Sequence, residues 1–265
     1  MMIFAKSVAR AISLALGRLA QLAEHLVYTE RVGGSSPSPP TSAGVAMAVA
    51  ALIACILASS SPARAQTEPM QFHLARVAQD GCARDCPQVI VAEGVIEEDT
   101  PQAFVDFVRS AADQPGARSV VLLSSPGGRV VASMRLGAAL RQLGAAVIVA
   151  RSLSEGGRDV TVSGQCMSAC VYAMMGGVKR IVPPESRVGI HRMSREEATE
   201  SSARAPHATT RTYASADMVD ALANYAAEMG VNPTVIRTAE RISPDEIHIL
   251  SSTELRRWRL ASPKF

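Results

Sequence analysis

The sequence has no G-x-x-x-x-G-K-[ST] segment, so nothing in it reads as the phosphate-cradling loop that couples ATP to work. Any activity is expected to be ATP-independent within this chain. An excess of charge is also missing from most of its length. Residues 1–65 hold five of the 27 basic and two of the 24 acidic side chains, which leaves 22 of each in the remainder. The net charge of +3 therefore comes from the first 65 residues and gives no support to a nucleic-acid partner. No second apolar run long enough to be a candidate span follows the one ending at Ala58, and no internal repeat is visible. The five cysteines include no C-x2-C pair and no Cys/His cluster of metal-site spacing, so no metal or other cofactor is implied.

From Gly44 to Ala58 the chain is almost uninterruptedly apolar, and Ala63-Arg64-Ala65 follows. That pattern predicts a signal peptide over 44–65 with a mature start at Gln66; an uncleaved anchor is the competing reading, but the run is shorter than the ~20 residues of a spanning helix. Residues 1–43 are unlike an exported leader. The stretch Arg18–Pro37, with Gly34-Ser35-Ser36-Pro37 at its end, resembles the conceptual translation of a transfer-RNA gene. Translation is accordingly expected to begin near Met47, with 1–43 a non-native extension, against the alternative of an extended targeting leader. Cys55 falls in the leader, leaving Cys82, Cys86, Cys166 and Cys170. An even count in an exported chain permits disulfides without fixing their connectivity. Cys82 is expected to pair with Cys86, because Ala83-Arg84-Asp85 can form a turn.

Residues 66–265 read as one domain. Gln88–Ile96 is a β-branched apolar strand, and Phe104, Phe107 and Val108 behind Thr100-Pro101 have helical spacing. Ser119–Leu123 is a short covered strand ending in Ser125-Pro126-Gly127-Gly128, followed by a helix marked by Val131, Met134, Leu136, Leu140 and Leu143. Ala146–Ala150 is the next strand, and Ser152–Gly164 reads as a polar loop near the site that could gate a cleft. A small-residue helix then runs from Cys166 to Gly177, and Arg180–Pro183 and Arg187–His191 are two further strands. This alternation predicts an α/β fold, a largely parallel sheet with helices on its faces. Ser194–Arg211 has little apolar content and reads as a mobile surface loop. C-terminal helices are expected around Met218–Met229, behind Asn232-Pro233, and over Thr253–Leu260.

Three segments carry chemistry together: Ser125-Pro126-Gly127-Gly128 after a strand, Ser168 at a helix start, and Ser186-Arg187-Val188-Gly189-Ile190-His191 at a strand end. Between Val89 and His191, and weakly over Leu250–Leu260, the sequence resembles the proteolytic subunit of the Clp protease and its exported relatives, within the Clp/crotonase superfamily. The resemblance implies that an S-P-G-G turn supplies an oxyanion amide, Ser168 attacks a carbonyl, and His191 is the base. It also implies homo-oligomers, rings or trimers, although no segment here identifies such an interface.

The residues fit those roles. A serine hydroxyl is a poor nucleophile until a base takes its proton, and a helix start favours developing negative charge. Ala169 is thus one expected oxyanion donor and Gly127 the other, since a Gly-Gly turn can aim its amides at a ligand. The family's acid should fall just before Leu250-Ser251, where Ile247-His248-Ile249 stands. Asp245 is the nearest candidate, with Glu246 and Glu240 behind it. Cysteines beside Ser168 depart from the family pattern, and a bond from either one to another cysteine could lock the nucleophile turn. The leading expectation is an exported serine peptidase or acyl hydrolase acting on a peptide or similar acyl compound. A catalytically inactive interaction module of the cell envelope is the alternative, and a crotonase-like acyl-thioester enzyme the third.

Overall fold

A computed structural model of the chain describes residues 68–76, 88–111, 117–155, 158–198 and 209–261. The leader, the expected signal peptide and the Cys82–Cys86 pair lie outside the described residues. The elements run β1 (Gln71–Arg76), β2 (Gln88–Glu93), α1 (Thr100–Ala111), β3 (Ala117–Ser124), α2 (Val130–Gln142), β4 (Ala146–Glu155), β5 (Arg158–Ser163), β6 (Gln165–Met167), α3 (Cys170–Met175), β7 (Lys179–Ile181), β8 (Arg187–Ile190), β9 (Ser194–Ala198), β10 (Thr209–Tyr213), α4 (Ala216–Glu228), α5 (Thr234–Ala239), β11 (His248–Ile249) and α6 (Ser252–Arg257).

The architecture is mixed α/β around a largely parallel sheet. β2, β3, β4 and β7 are joined by parallel pairings, while β1 and β5 add antiparallel edges. Strand side chains alternate between faces, and the core divides accordingly. Ile90, Ala92, Val121, Leu123, Val147 and Val149 join the main core, to which α1, α2, α3, α4, α5 and α6 all contribute. Val89, Val91, Leu122 and Ala150 form a smaller cluster on the opposite face. Near-continuous apolar runs in β2 and β3 follow from this, since both of their faces are covered. α1 turns Phe104 inward against Phe72 of β1, ring centroids 5.4 Å apart.

Helices α2 and α3 cross where Gly137 meets Gly176, a position at which any side chain on Gly176 would collide with the Gly137 carbonyl. This approach explains why a glycine, Gly176, directly follows α3. Tyr225 of α4 caps the crossing: its hydroxyl donates to the Tyr172 carbonyl at 2.8 Å, with the Met134 carbonyl at 3.3 Å. Buried Arg180 donates to the carbonyls of Gly177 and Arg259, each at 2.7 Å, just past the C-termini of α3 and α6, where helix ends leave carbonyls orphaned. Burial, with Arg141 and Arg259 nearby, brings its pKa down to about 10.

Three sequence expectations are corrected. The small-residue segment Cys166–Gly177 is helical only over Cys170–Met175, because Cys166 and Met167 pair with β8 as part of β6 and Ser168-Ala169 form the turn between. Ser152–Gly164 is not an irregular loop: β4 continues to Glu155 and β5 pairs with it antiparallel, Ala150 opposite Ser163 and Ser154 opposite Asp159. Its polar, two-sided strands are held by backbone bonds, and Asp159 accepts from Ser154 Oγ and from the Arg76 amide. Likewise Ser194–Arg211 is not all loop, since β9 and β10 pair antiparallel from Ser194↔Tyr213 to Ala198↔Thr209. Arg192 stacks over the Tyr213 ring at 4.0 Å and anchors the base of that hairpin. No described helix is long and apolar enough to cross a membrane.

Candidate active site

A second, small sheet positions the site. β6 and β8 run parallel, with Met167 opposite Gly189, so the residues just past their ends emerge side by side. Those residues are Ser168 and His191. Ser168 donates its amide to the Gly189 carbonyl at 2.9 Å and then breaks from the strand with φ 55°, in the left-handed region. A residue with a Cβ enters that region at a cost, and the sharp turn it makes presents the hydroxyl outward before α3 begins. Oγ of Ser168 lies 2.7 Å from His191 Nε2. The two side chains that the motif singled out are thus within hydrogen-bond reach.

The turn after β3 abuts Ser168. Ser125 is tied to β6 from both sides, through Ser125 N to Gln165 O and Met167 N to Ser125 O. Gly127 (φ 116°) packs so closely that a Cβ there would stand 2.9 Å from both the Met167 carbonyl and Ser168 Cβ. Its amide donates to Ser125 Oγ at 3.1 Å and is not turned to the cleft. Gly128 lines the cleft with Ser168 and Ala169. Neither the Gly128 nor the Ala169 amide has a hydrogen-bond acceptor among the described residues. The S-P-G-G segment itself could not distinguish its two glycines, because which amide is taken depends on the Ser125 rotamer.

His191 is held by its surroundings more than by a carboxylate. Burial pushes its pKa below the ordinary value, while the Pro244 carbonyl and the Glu240 carboxylate act the other way. Nδ1 is buried and has no hydrogen-bond partner among the described residues, and the Pro244 carbonyl lies beside the imidazole. A proton on Nδ1 leaves Nε2 free to accept from Ser168. Asp245 is not brought to the imidazole. Its exposed carboxylate pairs with Arg211 at 2.8 Å, and that contact holds its pKa below the usual carboxylate range. Glu240, at the end of α5, instead accepts from the Met193 amide at 3.3 Å and pairs with Arg192 at 3.4 Å, bracing the segment after His191. Glu246 donates its amide to the Ser243 carbonyl at 3.1 Å.

Ser168 and His191 open into a small cleft whose walls include Val130, Tyr172, Met175, Met193, Val235 and Ile236. A mostly apolar concavity with a few convergent polar groups is the usual form of a ligand site. The contribution of α5 was not read from the sequence, although Val235, Ile236 and Ala239 form a compact apolar face at helical spacing. No described residue of β4 or β5 lines this cleft. Cys166 and Cys170, both fully buried, are joined by a disulfide, Cα atoms 5.2 Å apart, across the turn that carries Ser168.

No family model matches the chain, and no curated protein matches it. Among solved structures similar to it are two mutants of 1510-N, a membrane-bound stomatin-specific protease. A serine-to-alanine mutant is 19% identical with TM-score 0.43, covering 66% of this chain and 75% of that one. A lysine-to-alanine mutant in complex with a substrate peptide is 19% identical with TM-score 0.41, covering 66% and 71%.

Proposed function

We propose that the chain is an exported, ATP-independent serine hydrolase of the Clp-protease type, acting on peptides or related acyl compounds. The observation that carries this reading is the 2.7 Å approach of His191 Nε2 to Ser168 Oγ, at the head of a cleft beside two amides without acceptors. Ser168 Oγ attacks the acyl carbonyl as its proton passes to Nε2, and the carbonyl electron pair becomes an oxyanion. The amides of Gly128 and Ala169 donate to that oxygen; Gly128 takes the part that the sequence assigned to Gly127. Collapse expels the leaving group, which takes the proton from Nε2, and water repeats the sequence to release the acyl group. In place of a triad acid, the Pro244 carbonyl and the Glu240 carboxylate beside the ring favour the imidazolium.

One observation favours the alternative of an inactive interaction module: among the described residues no carboxylate reaches His191 Nδ1. A fluorophosphonate probe separates the two. The wild-type chain is expected to be phosphonylated on the peptide containing Ser168, and Ser168→Ala to remain unmodified. Equal labelling of both proteins, or labelling of neither, would contradict the hydrolase reading.

A further inference from the structure

We propose that the Cys166–Cys170 disulfide is a positioning clamp for Ser168, so that the nucleophile is competent only in the oxidised chain; this rests on the hydrolase reading. Ser168 sits midway between the two sulfurs' residues in a left-handed conformation that its own side chain disfavours. The elements on either side are short: β6 has three residues and α3 six, too few to impose a strained turn by themselves. Cys166 is the middle residue of β6, where it faces Val188 of β8, and Cys170 opens α3. Their bond therefore ties the last strand turn to the first helical turn around the nucleophile. It also fixes Ser168 against Gly127, which approaches from the other side with no space for a shift.

Both sulfurs belong to residues with no solvent exposure, which suits a standing clamp better than a rapidly exchanging switch. The bond forms by exchange with a disulfide donor. A Cys166 thiolate attacks the donor and expels one donor thiolate, then the Cys170 thiolate attacks the Cys166 sulfur and expels the second. The donor takes up two electrons and leaves as two thiols. An oxidising compartment supplies such donors, so export and assembly of the site are one event in this account.

The test measures phosphonylation by a fluorophosphonate probe in the full chain and in a Cys166→Ala/Cys170→Ala variant, with near-ultraviolet dichroism and thermal unfolding recorded for each. Without the clamp the maximal labelling rate should fall by about tenfold or more, while the half-saturating probe concentration changes less than about twofold, because the cleft walls are untouched. If the double variant does not fold, a Cys82→Ser/Cys86→Ser chain is reduced by a phosphine, which leaves as the phosphine oxide with oxygen from water, and is then reoxidised. Loss of labelling on reduction and recovery on reoxidation support the clamp. A folded, clamp-free protein that labels at the oxidised rate overturns it alone. An oxidised chain that labels no faster than Ser168→Ala overturns the hydrolase reading beneath it.

Discussion

Gly127→Ala tests how tightly the turn after β3 and the nucleophile are packed. At φ 116° the backbone is outside the region that alanine adopts freely, which costs about 1–2 kcal/mol or more. The added methyl would stand 2.9 Å from the Met167 carbonyl and from Ser168 Cβ, and 3.2 Å from the Ala169 amide nitrogen. Backbone on two sides cannot rotate away, so overpacking adds about 1–3 kcal/mol, for a total of about 2–5 kcal/mol. Gly144 supplies the control. It too has positive φ, 67°, but nothing lies within 4 Å of its Cβ position, so Gly144→Ala should cost only about 1 kcal/mol. Urea unfolding of both variants measures the difference as a change of midpoint at constant slope. Phosphonylation adds a second readout: displacement of Ser168 by up to 1 Å should slow labelling of Gly127→Ala by about 100-fold and leave Gly144→Ala unaffected. Two variants of equal stability and equal labelling rate would refute the packing argument.

The labelling rate of the wild-type chain should be on its plateau at pH 7 and decline on the acid side with a midpoint below the ordinary histidine value of ~6.5, because burial favours the neutral imidazole. The same depression means that the His191 contribution to stability is complete above ~6.5 and lost as pH falls through the lowered folded value, which unfolding at several pH values will check. Tyr225→Phe removes the hydroxyl that ties α4 to the Tyr172 carbonyl and should cost about 1 kcal/mol in urea unfolding; no change would mean the bond is dispensable. Ser251→Ala removes the cap of α6, where Ser251 and Glu254 form a reciprocal capping box, and should cost about 1 kcal/mol. In the wild-type chain the Ser251 hydroxyl, with help from His248, holds Glu254 at about 2, so that cap should weaken only as pH falls from 4.5 toward 2.

Where burial was two-sided, the sequence was easy to read. Val120–Leu123 and Val89–Ala92 are apolar on consecutive positions because both faces of β3 and β2 are covered, and short runs between turn residues mark such strands. The strand end at His191 was also legible from alternating Val188 and Ile190, and the glycine stop marked the end of α3, but its start was read four residues early, because the strand β6 that precedes it is only three residues long. The β4–β5 and β9–β10 hairpins were not. Arg151–Ser163 and Ser194–Ala198 carry too few apolar side chains in sequence to show a period, and their order comes from backbone pairing. Asp245 stood at the right place in the chain, but its direction was set by Arg211, 34 residues earlier on β10. The backbone beside it turned a carbonyl, that of Pro244, toward the imidazole, and a carbonyl leaves no mark on a side-chain pattern. Cys166 and Cys170 signalled a lock on the nucleophile turn, while their pairing with each other required the strand-to-helix geometry.

The central claim is that Ser168 and His191 act as one unit, and the rate of phosphonylation in Ser168→Ala, His191→Ala and Asp245→Asn chains tests it most directly. Loss of His191 should slow labelling of Ser168 by about 1,000-fold or more with the fold retained, since the proton then has no acceptor within reach. Asp245→Asn should label within about twofold of the wild-type rate, because its carboxylate serves Arg211 and not the imidazole. A His191→Ala chain that labels at Ser168 as fast as wild type would contradict the dyad and require another base.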